Sequence, residues 1–325
     1  MADLVENILA ADARIKTIDG GPRETPLDLA GPFSEQTGAQ VVLKGEHLQP
    51  TGSFKLRGAM NKMLSLNDDQ RAQGVITASS GNHGMATTLA ASLAGVTATV
   101  YLPESVSSLK RTNIERMGAK TVLVPGAGVE CERAGRRAAA DQGVTFVSPY
   151  SDLDIIAGQG TIGAELERQC PDLAAVYVCV GGGGLISGIG SYLKVKRPGV
   201  DIVGCWPANA TAMHGCIEKG EIWDVPETDT LSDGSAGGIE EGAITFPICQ
   251  QVIDRHVMVA EEEIAEAMRE TAAKERYIIE GAAGVAVAAA LKTGGDYAGK
   301  PVATIICGRN VSMEVFMGVM AGAKT

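Results

Sequence analysis

The chain is 325 residues long and 45% apolar, with 28 Lys and Arg against 39 Asp and Glu for a net charge of −11. That apolar share can fill a sizeable core, in one large domain or two moderate ones. Lys and Arg are scattered rather than clustered, which argues against nucleic acid or an anionic membrane as partner and leaves local dipoles to hold any anionic substrate.

The first residues, Met1 to Glu6, are acidic and lack the basic start of a signal peptide. Val41-Val42-Leu43 reads as a buried strand. The run Gln49-Pro50-Thr51-Gly52-Ser53-Phe54-Lys55-Leu56-Arg57-Gly58-Ala59 then places a lysine just before a helical pattern. Phe54 and Leu56 can desolvate the amine, which lowers a lysine pKa and frees the neutral nucleophile. Such a lysine suits a Schiff base with a carbonyl cofactor. Taken alone, the stretch reads equally well as a snorkelling surface lysine at a helix start.

The strand-like Gly74 to Ala78 runs into Ser79-Ser80-Gly81-Asn82-His83-Gly84, and a helical pattern covers Asn82 to Leu93. Strand patterns at 97–102, 121–124 and 144–147 alternate with helical ones over Ser107 to Met117 and Val129 to Asp141. A helix from Ile155 to Gln169 contains Ala157-Gly158-Gln159-Gly160-Thr161. The strand-like Ala174 to Val180 then enters Gly181-Gly182-Gly183-Gly184-Leu185. A strand, a Gly-rich turn and a helix together present backbone N–H groups and a helix N-terminus to an anion. The glycine run read alone is a flexible loop.

Further strands are expected at 202–204 and 302–306, and a helix over Glu261 to Lys274. Glu218 to Gly242, rich in Gly, Asp and Thr, reads as a long surface excursion. The apolar run from Ala282 to Leu291 is too short to span a bilayer. Strand–helix alternation predicts an α/β fold with a largely parallel, doubly wound sheet and ligands beyond the carboxyl ends of the strands. The seven cysteines, at 131, 170, 179, 205, 216, 249 and 307, show no C-x-x-C spacing. They read as reduced thiols of a cytoplasmic protein.

The lysine run, the Ser-Gly-Asn-His turn and the tetraglycine turn, in this order, resemble the fold-type II pyridoxal-phosphate (PLP) enzymes of the serine/threonine dehydratase and serine racemase group. Ala157 to Thr161 and Ile306-Cys307-Gly308-Arg309-Asn310 extend the match, which runs from Thr25 to Asn310. The resemblance implies a two-domain fold like that of the tryptophan synthase β-subunit, with parallel twisted sheets flanked by helices. Residues 1–68 and 149–325 would form the large PLP-binding domain and 69–148 a small inserted α/β domain. A homodimer acting on a small amino acid is implied as well.

By the same resemblance Lys55, beside Phe54, holds PLP as a Schiff base and later takes the substrate's α-proton as general base. Gly181, Gly182, Gly183, Gly184 and Leu185 would hold the cofactor phosphate. Asn82 would bond the ring oxygen, or merely cap the following helix. Ser79, Ser80, Gly81 and His83 would line the site of the substrate carboxylate, with His83 structural rather than catalytic. Ser80 also permits racemisation, as a serine on the face opposite the lysine. Cys307 would stand against the pyridine nitrogen, where a thiol cannot hold a pyridinium proton; a small core cysteine is the other reading. Glu280 is either an acid of the active centre or a carboxylate of a helix's first turn. Arg57 faces either domain contacts or solvent.

The sequence departs from that group in two places. Several relatives carry a divalent-cation site after the strand that follows the tetraglycine helix, and Trp206 and Ala212 fall where its carboxylates stand. Hard cations need oxygen ligands, so no metal is expected and the indole fills the space. Tyr150-Ser151 and Arg309 resemble the branch associated with ectoine and hydroxyectoine catabolism, with Arg309 beside the cofactor ring's end. The implied activity is a lyase that removes water and ammonia from a β-hydroxy amino acid to give a 2-oxo acid. Threonine, serine, 3-hydroxyaspartate and a hydroxyectoine-derived compound are the substrates in view. Racemisation, β-replacement and binding without turnover are the alternatives; an intact Lys55 argues against the last.

Overall fold

The computed structural model describes residues 1–322. The chain opens with α1 (Ala2–Ile15), β1 (Leu27–Leu29), α2 (Gly31–Thr37) and β2 (Gln40–Lys44). Next come α3 (Lys55–Ser65), α4 (Asp68–Gln73), β3 (Val75–Ala78), α5 (Asn82–Ala94) and β4 (Ala98–Pro103). They are followed by α6 (Ser108–Arg116), β5 (Lys120–Val124), α7 (Gly128–Gln142) and β6 (Thr145–Phe146). The chain continues through α8 (Leu153–Gln169), β7 (Ala175–Cys179), α9 (Gly184–Lys196), β8 (Asp201–Pro207) and α10 (Ala212–Lys219). It ends with α11 (Thr245–Val252), β9 (Arg255–Val259), α12 (Glu261–Glu270), α13 (Gly281–Thr293), β10 (Pro301–Ile305) and α14 (Met313–Met320).

The strands form a six-stranded sheet in the order β1-β2-β10-β7-β8-β9 and a four-stranded sheet in the order β5-β4-β3-β6. Every pairing is parallel except that of β1 with β2. Central β7 is buried along its whole length, as a parallel strand covered on both faces requires. That is why Ala175 to Cys179 reads as an unbroken apolar run. Helices α9 and α13 pack on this sheet, and α8 packs on α9.

Helix α3 lies between the sheets, against α5 and α8. Its Leu56, Ala59, Met60 and Met63 join Val75, Ala86, Val100 and Val147 in one apolar cluster. The other cluster surrounds the larger sheet. Arg57, whose setting the sequence left open, is fully buried. It donates to Glu46 at 2.8 Å and to Glu165 at 2.6 Å, and Glu165 also accepts from Lys44 at 2.6 Å. The Ala157-to-Thr161 motif lies inside α8. A Cβ on Gly158 would stand 2.5 Å from the Cα of Gly58, so the two glycines let α3 and α8 cross in contact. Gln159 secures the crossing by accepting from the Gly58 N–H at 3.2 Å. Buried charge and close crossing together fix the start of α3, where Lys55 stands.

The expected helix over Glu261 to Lys274 ends as α12 at Glu270 and continues as a π-turn over Thr271–Glu275. All seven cysteines are unpaired, and all but Cys170 are buried. Among the described residues no helix is long and apolar enough to cross a membrane.

Candidate active site

A cavity of about 650 Å³ opens where the carboxyl ends of β3, β7 and β10 meet the amino ends of α3, α5 and α9. Doubly wound sheets place ligands at such a point. The cavity gathers Phe54, Lys55, Ser79, Ser80, Gly81, Asn82, His83, Gly181, Gly182, Gly183, Gly184, Leu185 and Cys307 from distant parts of the chain.

Lys55 is the first residue of α3. The Phe54 N–H donates to the Cys307 carbonyl at 3.0 Å, which ties the lysine segment to the end of β10. The Lys55 amine donates to the Pro149 carbonyl at 2.7 Å and lies 5.2 Å from the Phe54 ring centre. Burial lowers its pKa to about 8, against an upward pull from the Glu280 carboxylate. At neutral pH a useful fraction of this amine is unprotonated.

The tetraglycine turn has the form of an anion cradle. None of the N–H groups from Gly181 to Leu185 donates to another group among the described residues. Gly183, at φ 83, adopts a left-handed conformation that suits glycine. A Cβ on Gly182 would strike the Tyr150 ring at 2.4 Å. Free N–H groups, a helix N-terminus and a lysine of lowered pKa are the donor set that a phosphorylated aldehyde requires, so the residues present fit PLP.

A second set of free N–H groups, on Ser80, Asn82 and His83, lies at the start of α5. Gly81 is the N-cap of that helix, so Asn82 is not its cap. The Asn82 side chain instead donates to the Glu280 carboxylate at 2.9 and 3.1 Å and accepts from the Asn310 amide. Glu280 is 6% exposed and also accepts from the Asn310 backbone at 3.0 Å. Burial pushes its pKa up, with Asn82 and Asn310 pulling the other way. His83 is held by the Val147 carbonyl at 3.0 Å; burial, then nearby Lys55, lowers its pKa to about 3, so it stays neutral. Burial, helped by Glu280, drives the Cys307 thiol well above its ordinary pKa, so it too is neutral.

Two readings of the sequence change here. Arg309 is exposed and lines a neighbouring cleft of about 380 Å³ with Arg116, outside the larger cavity. Its backbone N–H donates to the Gly52 carbonyl at 2.9 Å, and the following Asn310 lines both the cleft and the larger cavity. The stretch from Glu218 to Gly242 is more than a surface excursion, because Asp233 to Gly238 form a wall of the cavity. Tyr150 also lines it, but its hydroxyl accepts from the Glu240 N–H at 3.0 Å. Trp206 is fully buried, stacked on His256 at 5.2 Å and near His214 at 5.4 Å. Pro149 and Asn310 were not found from sequence, because each acts through backbone position or a neighbour's side chain.

The family model for pyridoxal-phosphate dependent enzymes matches residues 18–308. The L-threonine ammonia-lyase of Thermotoga maritima is 38% identical over 311 residues, covering 96% of this chain and 76% of that protein. The processed form of threonine deaminase isoform 2 from Solanum lycopersicum superposes with a TM-score of 0.91 at 31% identity, covering 98% of this chain and 94% of that one. Serine racemase from Dictyostelium discoideum gives 0.88 at 32% identity, covering 95% and 99%.

Proposed function

The chain belongs to the pyridoxal-phosphate dependent enzyme family, and on that premise we propose a division of labour within its cavity. The protein is a PLP-dependent lyase of the threonine ammonia-lyase and dehydratase type. The observation that carries our assignment is Lys55, an amine of pKa about 8 sharing one cavity with an open tetraglycine cradle.

Bound PLP supplies an electron sink for bond breaking at the substrate's α-carbon. Lys55 carries the cofactor between turnovers and takes the α-proton on Nζ during them. The N–H groups of Gly181 to Leu185 would hold the phosphate, and Phe54 walls the lysine. Those of Ser80, Asn82 and His83, with Ser79 and Gly81, hold the substrate carboxylate. Asn82, fixed by Glu280, would hold the ring oxygen. Neutral Cys307 would stand at the ring nitrogen as a group that cannot hold a proton on it, which would favour prompt loss of the β-hydroxyl. The β-hydroxyl leaves as water, and hydrolysis of the released aminoacrylate takes one water back and yields ammonia and a 2-oxo acid. Ser80 lines the cavity with a free hydroxyl, so proton return from a second face stays open as a racemase side activity.

The substrate is a β-hydroxy amino acid of the threonine or serine type, or a hydroxyectoine-derived compound. Arg309 faces away from the cavity and lends the last no support; the case for it rests on Tyr150. We assign residues 69–148 to a small inserted domain, since the four-stranded sheet lies within them. A cytoplasmic homodimer accords with the unpaired cysteines and with the exposed apolar side chains of Met313 and Met317 on α14. A panel of β-hydroxy amino acids with a 2-oxo-acid readout tests the assignment. Turnover without 2-oxo acid would redirect it to racemisation or β-replacement.

A further inference from the structure

The elimination chemistry leaves three charged groups of the cavity unused, and Glu132 on α7 is the least exposed of them. The other charges on the wall are Lys55 and Glu280 inside and Lys110 and Asp233 at the exposed rim. The Glu132 side chain is 29% exposed, so water screens it less than the rim charges. Its Oε1 accepts from Arg136 Nε at 3.0 Å and Nη2 at 2.8 Å. Its Oε2 has no hydrogen-bond partner among the described residues.

Arg136 does not neutralise Glu132 fully, because the same Nη2 also donates to Glu240. One guanidinium thus serves two carboxylates, and the cluster keeps a net negative charge. The arrangement is braced. The Arg136 guanidinium lies 4.5 Å from the Phe146 ring centre, and the Glu240 backbone donates to Tyr150.

We propose that Glu132 determines specificity by selecting a β-hydroxy amino acid whose side chain ends in a cation, such as an amine or amidine. The inference rests on the lyase reading and names its substrate class. The amino and carboxyl ends of a bound substrate are met at Lys55 and at the Ser79-to-His83 turn. The side chain is left to the rest of the cavity wall, which includes Gly128, Val129, Glu132 and Gly234 to Gly238. An ammonium there finds the open Oε2 and an uncompensated charge, whereas a carboxylate meets repulsion.

The test is kcat/KM for three β-hydroxy amino acids: threonine as the neutral one, 3-hydroxyaspartate as the anionic one, and 2,4-diamino-3-hydroxybutyrate as the cationic one. The wild type should prefer the cationic over the anionic substrate by about tenfold or more, mostly through KM. Glu132→Gln should shrink that ratio about fivefold, Arg136→Gln should enlarge it, and high salt should weaken it in the wild type. A preference for threonine or 3-hydroxyaspartate in the wild type, or an unchanged ratio in Glu132→Gln, would overturn the proposal. Failure of the lyase reading looks different: none of the three would be consumed, while binding, followed by the bound cofactor's absorbance, would still rank them cation first.

Discussion

The carboxylate of Glu280 receives the Asn82 amide through both oxygens, at 2.9 and 3.1 Å. The two residues lie 198 positions apart in the chain, and their pairing puts a buried negative charge near Lys55. That charge opposes the effect of burial on the amine. Glu280→Gln keeps an acceptor for Asn82 and removes the charge, so the Lys55 pKa should fall below about 8. Uptake of PLP by apo-enzyme as a function of pH reads this directly. The midpoint should move to lower pH in the variant, and an unmoved midpoint would mean that Glu280 is uncharged beside Lys55.

Lys55→Ala should lower turnover by about 10³-fold or more, since nucleophile and general base are lost together. Borohydride reduction of the wild type should leave the cofactor on the peptide that contains Lys55. Recovery of the adduct on another lysine would refute the assignment.

Two buried histidines make stability depend on acid. Burial lowers His47 to about 4 and His83 to about 3. Both folded values lie below that of an unfolded histidine. Their contribution is therefore complete above about pH 6.5 and is lost as pH falls toward the folded values. His83→Gln keeps a donor for the Val147 carbonyl and removes the proton site. Between pH 7 and 5 it should lose about 2 kcal/mol less stability than the wild type in denaturant titrations. Equal losses would show that His83 is already protonated in the fold.

Arg57→Met should cost about 3–5 kcal/mol, because Glu46 and Glu165 would stay buried with Lys44 as their remaining cation. The deficit should narrow at acid pH, where the stranded carboxylates take up protons. Thermal melts at pH 7 and pH 5 measure both effects. A deficit that grows on acidification would mean that the network is not held by charge.

The strand–helix alternation was legible in the sequence because parallel strands are continuous apolar runs and their turns are rich in glycine. The site was legible for the same reason, since its N–H cradles are written as Ser-Gly-Asn-His and as four glycines. The two edge strands of the larger sheet were not. β1 is three residues long, and β9 carries Arg255, His256 and an exposed Met258, so neither shows a clean period. Nor could spacing reveal that Gly158 serves a helix crossing, that Arg309 turns outward, or that Glu132 shares its arginine with Glu240. Each depends on residues about 100 or more positions away.

Cys307 offers the sharpest test of how the cavity sets the reaction's course. It is 3% exposed, and burial, then Glu280, keeps its thiol neutral far above neutral pH. A neutral thiol can accept or weakly donate a hydrogen bond but cannot stabilise a proton on a ring nitrogen. Cys307→Ser preserves that neutrality at nearly the same size, so cofactor binding and most of the elimination rate should survive. Cys307→Asp places a carboxylate at the same spot. If Cys307 faces the ring nitrogen, that carboxylate should hold a proton on it, prolong the life of the α-carbanion and favour α-proton exchange over loss of the β-hydroxyl. Solvent deuterium incorporation at Cα, measured against 2-oxo-acid formation, gives the partition. The ratio should rise about tenfold or more in Cys307→Asp and stay near the wild-type value in Cys307→Ser. An unchanged ratio in the aspartate variant, with cofactor still bound, would place Cys307 among the core cysteines and leave the ring's electronics to another residue.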